Sequence, residues 1–231
     1  MAEQEPFTAG SLAELYAAVS AEGGVTIDEL STLVDAFSTR PIASADIQAY
    51  REGRKPWKKL RDEVVPVEHL LRKRYPEFTQ VRFPLDDQPP DAWAWSDGHA
   101  AIGIEVTGAL ARAGTEVAKG LKEQGIGKGF IGLQDGESQA RFDAARTRRR
   151  VTSSRVGVDS AVDEAIAASM AEKDKEKFAG QVLLIVAPLG SSPNRSQEDV
   201  RSAHAAKAVA LPFSRVHVAD VARRSEIIDL K

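Results

Sequence analysis

The chain lacks cysteine, which excludes disulfide bonds and thiolate metal sites. It also lacks an apolar run approaching the roughly 20 residues that a membrane-spanning helix needs. No basic segment followed by an apolar one, the form of a secretory signal peptide, stands at its start. A strong excess of charge is missing too, because 31 Lys and Arg against 34 Asp and Glu leave a net charge of −3. We therefore expect a cytoplasmic protein without membrane contact, in which any binding of nucleic acid depends on local basic patches.

What the chain does contain is enough apolar sequence for a folded core. Its 231 residues, 42% of them hydrophobic, suit one large domain or a medium domain with an added region. Residues 1–60 show helical spacing of apolar side chains, which predicts an N-terminal all-helical region. Within it, Thr26 and Glu29 have the spacing of a capping box at the start of a helix that runs to about Thr39.

Residues 61–231 change in character and predict an α/β domain. Polar or Gly-containing breaks separate segments rich in β-branched and aromatic residues, which predict strands. These segments are VRF, AWAW, AAIGIEVT, VLLIVA and RVHV, and they begin at residues 81, 92, 100, 182 and 215. VLLIVA shows no alternation, so it fits a central strand covered on both faces. Helices are predicted at about 109–124, 160–179 and 197–209.

Asp97 and Gly98 lie between two of these strands and predict a β-hairpin. Two registers are open. A two-residue loop of Asp97 and Gly98 would put Asp91 and Glu105 on opposite faces of the hairpin. A three-residue loop that adds Ser96, with Gly98 in the left-handed conformation, would put both carboxylates on one face, and Gly98 favours this loop. Two carboxylates on one face would lie close enough to share a divalent cation.

Glu105 is unusual because it stands inside the apolar segment IGIEVTG. An ionised carboxylate in a half-buried strand needs a cation, an arginine or hydrogen-bond donors. A cation site is one interpretation. The alternative is a solvated sheet face on which Glu105 pairs with an arginine, with Pro90-Asp91 belonging to a turn.

Pro90-Asp91, followed 105 − 91 = 14 positions later by Glu105-x-Thr107, resembles the motif of the PD-(D/E)xK nuclease superfamily. The resemblance covers about residues 62–220 and implies the restriction-endonuclease-like fold, a mixed sheet flanked by helices. It implies that Asp91 and Glu105 bind Mg²⁺ or Mn²⁺, and that Glu68 matches the extra helix carboxylate of some members. The implied activity is hydrolysis of nucleic-acid phosphodiester bonds by a metal-activated water.

Thr107 departs from this motif, since the family usually has a lysine at its position. The lysine positions the attacking water and offsets phosphate charge, whereas the Thr107 hydroxyl would orient water without adding charge. Arg112 or Lys119 on the next predicted helix would substitute for the lysine, although Arg112 also suits a solvated helix surface. The alternative function is a catalytically inactive nuclease-fold module for binding or interaction.

A stretch with many arginines and little acid predicts contacts with nucleic-acid phosphates, although a solvated surface explains it equally well. Its residues are Arg146, Arg148, Arg149 and Arg150. A further alternative takes the N-terminal helices as a helix-turn-helix regulator. Asp28, Glu29 and Asp35 on the would-be recognition helix disfavour it, because they repel phosphate.

Overall fold

The computed structural model of the chain describes residues 5–86, 88–125, 129–148, 153–192, 194–220 and 226–231. In these ranges the protein is α/β, with a mixed sheet of seven strands in the order β1 to β7, flanked by helices. The predicted fold class, a mixed sheet with flanking helices, is confirmed at this level. None of the described helices combines the length and the apolar character needed to cross a membrane.

The elements follow the chain in this way. The strands are β1 (Val25–Thr26), β2 (Gln80–Arg82), β3 (Ala92–Ser96), β4 (His99–Gly108), β5 (Val182–Ala187), β6 (Arg215–Asp220) and β7 (Ile227–Asp229). The helices are α1 (Ala9–Ser20), α2 (Ile27–Thr39), α3 (Ile47–Arg51), α4 (Trp57–Lys59), α5 (Val65–Arg74), α6 (Ala111–Gln124), α7 (Gln139–Thr147), α8 (Arg155–Lys173) and α9 (Gln197–Ala210). Shorter turns are a π-helical turn (Leu60–Val64) and two 3₁₀ turns (Glu176–Phe178 and Leu189–Ser191).

The chain forms two compact units. The first contains Met1–Val106 and Gly180–Leu184, and the second contains Thr107–Ala179 and Ile185–Lys231. Helices α1 to α5 therefore belong to the same unit as strands β1 to β3. The division predicted at residue 60 stays a prediction.

The first unit begins with α1 and α2, whose buried side chains include Leu12, Leu15 and Leu30. The predicted capping box of α2 is confirmed: the Thr26 N–H donates to Glu29 Oε2 at 2.8 Å, and the Glu29 N–H donates to Thr26 Oγ1 at 3.1 Å. The N-terminal region is not wholly helical, however, because β1 pairs antiparallel with β2. A two-residue strand is too short to leave a periodic pattern in the sequence, so it was missed.

A proline inside a helical stretch is expected to interrupt it, but Pro66 does not. The chain runs from α4 through the π-helical turn into α5, and Pro66 occupies the first turn of α5. The Val65 N–H bonds to the Leu60 carbonyl five residues back rather than four. A proline has no N–H to donate, so the wider π turn ahead of it accommodates the ring without a break.

The second unit contains α6 to α9 with β6 and β7, which pair antiparallel. Helix α9 begins as predicted, since the Ser196 N–H donates to Asp199 Oδ2 at 2.9 Å and the Asp199 N–H donates to Ser196 Oγ at 3.1 Å. Helix α8 begins earlier than predicted, at a cap formed by Ser154. Helix α7 and strand β7 were not predicted.

Candidate functional site

The hairpin of β3 and β4 carries the two predicted carboxylates, and its register decides whether they share a face. Ser96 pairs with His99, so the loop is the two-residue Asp97-Gly98, with Gly98 at a φ of 82°. The three-residue loop that Gly98 favoured in the sequence is therefore wrong. A glycine with positive φ suits the tight two-residue hairpin turns equally well.

A β-bulge, rather than a three-residue loop, sets the register in which Asp91 and Glu105 would share a face. The register shifts by one residue between the turn and the middle of the hairpin, because β4 contributes one additional residue there. Beyond the bulge, Ala92 pairs with Ile104. Continuing this pairing by one residue places Asp91 across from Glu105, on the same face. Without the bulge, a two-residue loop would have put Asp91 across from Ile104.

Two contacts fix the Pro90-Asp91 segment on β4. The Val106 N–H donates to Asp91 Oδ2 at 2.8 Å, so the Asp91 carboxylate is bound to the backbone of β4. Pro90 packs where Gly103 has no side chain, since a Cβ at Gly103 would come within 2.9 Å of Pro90 Cγ. The glycine inside the strand thus permits the close approach that holds Asp91 in place.

Glu105 is buried, with 5% of its surface exposed, whereas Asp91 is half-buried. Ile104, next to Glu105 on the strand, is buried on the opposite face of the hairpin. Two carboxylates in one row of a sheet repel each other when both are ionised, and burial strengthens that repulsion. A cation bound between them would relieve it.

Glu63 is a third carboxylate of this region, and it was not among the site residues predicted from the sequence. It lies on the π-helical turn between α4 and α5. Burial raises the pKa of the Glu63 carboxyl to about 7, and the negative charge of Asp91 is the next largest cause of the rise. The charge of Asp91 therefore reaches Glu63, although 91 − 63 = 28 positions separate them in sequence.

Lys59 is the positively charged partner of Glu63. Its Nζ lies 3.2 Å from Glu63 Oε1 and donates to the Asp86 carbonyl at 2.7 Å. The Lys59 ammonium counteracts the rise in the pKa of Glu63, as does Lys58 to a smaller extent. The lysine thus connects the π-helical turn with the loop that leads to Asp91.

Glu68, the predicted third metal ligand, is buried, and its carboxylate is hydrogen-bonded to other side chains. Its Oε1 accepts hydrogen bonds from Ser31 Oγ at 2.9 Å and from Arg72 Nη1 at 3.2 Å. These contacts join α5 to α2 and stabilise a carboxylate that is only 1% exposed. Of the three predicted ligands, the hairpin register extended by one residue places Asp91 and Glu105 in one row, whereas Glu68 is bonded to Ser31 of α2.

The donor set at the hairpin fits a hard divalent cation. Within the described ranges, no group of three or more His, Cys, Asp or Glu side chains is arranged to hold a metal ion by itself. Mg²⁺ needs no such group, because it is commonly bound through one or two carboxylates, with water and substrate phosphates as its other ligands. Asp91 and Glu105 supply carboxylate oxygens, the donors that Mg²⁺ and Mn²⁺ prefer.

Thr107 follows Glu105 by two residues on β4 and is half-buried. Arg112, a predicted substitute for the motif lysine, donates from Nη1 to the Glu137 carbonyl at 2.8 Å and stacks on Phe142 at 4.4 Å from the ring centre. Lys119, the other predicted substitute, lies on α6 with its Nζ 2.8 Å from a carboxylate oxygen of the same helix. Both cations thus have structural partners in the second unit, and their catalytic roles stay predictions.

The predicted arginine contacts divide into three cases. Arg146 forms ion pairs with Glu116 at 2.6 Å and with Asp143 at 2.7 Å, so acidic groups compensate its charge. Arg148 is exposed just after α7. Arg149 and Arg150 lie outside the described residues.

Comparisons with family models, with curated proteins and with solved structures found no match for this chain. The described residues form an α/β protein whose mixed sheet contains a bulged hairpin, with the buried Glu105 on β4 and Asp91 just before β3.

Proposed function

We propose that the protein is a metal-dependent nuclease of the PD-(D/E)xK type, which hydrolyses nucleic-acid phosphodiester bonds with Mg²⁺ or Mn²⁺. The observation that carries the proposal is the register of the bulged hairpin, which pairs Ala92 with Ile104 and, continued by one residue, sets Asp91 across from Glu105. The order of elements supports a restriction-endonuclease-like core: α5, the β2-β3-β4 meander, helices, and the buried strand β5 beside β4.

In this proposal Asp91 and Glu105 hold the cation. When bound, the cation would lower the pKa of a coordinated water and offset negative charge on the phosphate. Asp91 is oriented for this role by the Val106 N–H, and Glu105 by its position within the strand. Glu63 adds a third carboxylate, whose pKa is raised first by burial and then by the negative charge of Asp91.

Lys59 supplies the positive charge that the family takes from the lysine absent at Thr107. It is tied to Glu63 and to the loop before Asp91, so it belongs to the same region of the first unit. A lysine there would attract a phosphate and offset its charge. The Thr107 hydroxyl would then be left with orienting water.

The test is cleavage of plasmid and single-stranded DNA, and of RNA, with Mg²⁺ or Mn²⁺. We expect Asp91→Asn and Glu105→Gln to abolish cleavage, because each removes a ligand charge and keeps the side-chain shape. Glu172→Gln is the matched control, since Glu172 is an exposed acid on α8. Cleavage that is equal in wild type, Asp91→Asn and Glu105→Gln would refute the proposal.

A catalytically inactive nuclease-fold module is the second candidate, and Thr107 favours it because no lysine stands at the motif position. Calorimetric titration with Mn²⁺ separates the two candidates. An active nuclease binds Mn²⁺ in a manner that Asp91→Asn weakens. A module without a metal site takes up no Mn²⁺ specifically and still binds nucleic acid or another partner.

A further inference from the structure

Trp93 differs from the other tryptophans in its exposure. All three tryptophans lie in the described part of the chain. Trp57 is fully buried, and the Trp95 ring packs against Gly24, where an added Cβ would come within 2.8 Å of it. The side of β3 that carries Ala92 and Ala94 is buried, whereas Trp93 is 39% exposed. A large indole thus stands at the surface of the hairpin.

The position of Trp93 relates it to the candidate site. It pairs with Gly103 on β4, so it lies in the row next to that of Asp91 and Glu105 and on the same face. Two residues along a strand span roughly 7 Å. The backbone positions of Trp93 and Gly103 are therefore roughly 7 Å from those of Asp91 and Glu105.

On the other side of Trp93, the neighbouring strand β2 presents a positively charged side chain. Trp93 pairs with Arg82 on β2, which keeps the two side chains on the same face. Arg82 Nε donates to the Ser20 carbonyl at 3.2 Å, and this bond orients the guanidinium without neutralising it. The row thus places an aromatic surface between a positive charge and the small Gly103.

We infer that Trp93 is a stacking platform for an unpaired base, and that the substrate is single-stranded nucleic acid; the inference rests on the proposed nuclease function for its substrate class. Every nucleobase has a π face that stacks on an aromatic side chain. In a duplex both faces of a base are covered by its neighbours, so an indole fixed on a sheet reaches only an unpaired base. Arg82 then attracts the backbone of the same strand.

This arrangement joins binding to the proposed chemistry. A base stacked on Trp93 places an adjoining phosphate over the row of Asp91 and Glu105. Those carboxylates repel a phosphate unless a cation lies between them. Stacking and the charge of Arg82 therefore hold the strand by groups that are distinct from the carboxylates.

The experiment is a fluorescence titration of the full chain with a short oligothymidylate and with a duplex of equal length, in EDTA so that cleavage does not interfere. We expect the oligothymidylate to quench indole emission and to bind more tightly than the duplex. Trp93→Ala should weaken single-strand binding about fivefold to 150-fold, the range that stacking of one base supports, with binding of all variants followed by anisotropy of a labelled oligonucleotide. Trp93→Phe should retain most of the affinity, because phenylalanine also stacks.

Val209→Ala is the matched control, since Val209 is an exposed apolar residue on α9. Thermal denaturation of each variant checks the fold, and Trp93→Phe is the variant that also keeps the packing of the covered part of the ring, since Trp93 is 39% exposed. Unchanged single-strand affinity in Trp93→Ala, or a wild type that prefers the duplex, overturns the inference. Absence of cleavage in the assay with Mg²⁺ or Mn²⁺ refutes the nuclease proposal alone, and a Trp93-dependent preference for single strands then assigns the platform to a binding module.

Discussion

Neutralising Asp91 should lower the pKa of Glu63. Burial is the main cause that raises the pKa of Glu63 to about 7, and the charge of Asp91 is the second. An Asp91→Asn variant keeps the shape of the side chain and removes its charge. The Glu63 pKa should fall from about 7 toward its ordinary value of 4.5, and each unit of that fall corresponds to about 1.4 kcal/mol. It should stay above its ordinary value, because burial remains.

The assay is a ¹³C NMR titration of carboxyl carbons in protein labelled at glutamate, in metal-free buffer. Loss of one resonance in Glu63→Gln assigns the signal. Lys59→Gln provides a control of opposite sign, because the Lys59 ammonium lowers the pKa of Glu63 and its removal should raise it. Lys58→Gln should raise the pKa less, since Lys58 is the weaker of the two lysine influences.

An unchanged Glu63 pKa in Asp91→Asn, together with a rise in Lys59→Gln, would refute the reasoning. It would mean that Glu63 is governed by burial and by its own helix, with the hairpin too distant to matter. The site would then consist of Asp91 and Glu105 alone, and Lys59 would lose its connection to them. The experiment therefore tests the assembly of the site without requiring activity.

Two further predictions concern the second unit. Arg146→Ala should destabilise the protein by about 2 to 4 kcal/mol in urea denaturation, because the buried Glu116 would keep, among the residues that the structure describes, Lys119 as its ion-pair partner. A loss under about 0.5 kcal/mol would place this pair among weak surface contacts. His204 is buried with its Nε2 2.7 Å from Asp163, and burial lowers its pKa. The unfolded chain binds the proton of His204 more tightly than the folded protein, so the contribution of His204 to stability should be complete above about pH 6.5 and should fall below it. His204→Gln should therefore reduce the difference between the melting temperatures at about pH 5 and pH 8. An equally large loss of stability at acid pH in the variant would assign that loss to other groups.

Features with local causes were predictable from the sequence. The capping boxes of α2 and α9 depend on residues three positions apart, and both form. VLLIVA was predicted as a covered strand, and β5 is buried at five of its six positions. In these segments a few neighbouring residues satisfy their own backbone groups or define the buried surface. The tertiary contacts therefore do not alter the conformation that the local sequence predicts.

The bulge in the hairpin was not predictable from the turn. Asp97-Gly98 identifies a hairpin, but the pairing beyond the turn is set by which side chains must be buried. The bulge brings Ala92 and Ala94 across from Ile104 and Ile102, so apolar residues meet on one face. A regular two-residue hairpin would have paired Ala92 with a glycine. The two registers considered from the sequence, a regular hairpin with a two-residue or a three-residue loop, therefore did not include the bulged register that side-chain packing selects.

Glu63 and Lys59 were missed for a related reason. Their segment, KKLRDEVVP, combines three basic residues with two acidic ones, a composition that suits any solvated helix. Only the π-helical turn and the loop through Asp86 connect the pair with Asp91, and neither has a local sequence signature. The family motif, followed along one strand, predicts a positively charged side chain at the position of Thr107. Electrostatics requires only that a positive charge lie near the carboxylates, so in the proposed nuclease a lysine from a helix would meet the same need.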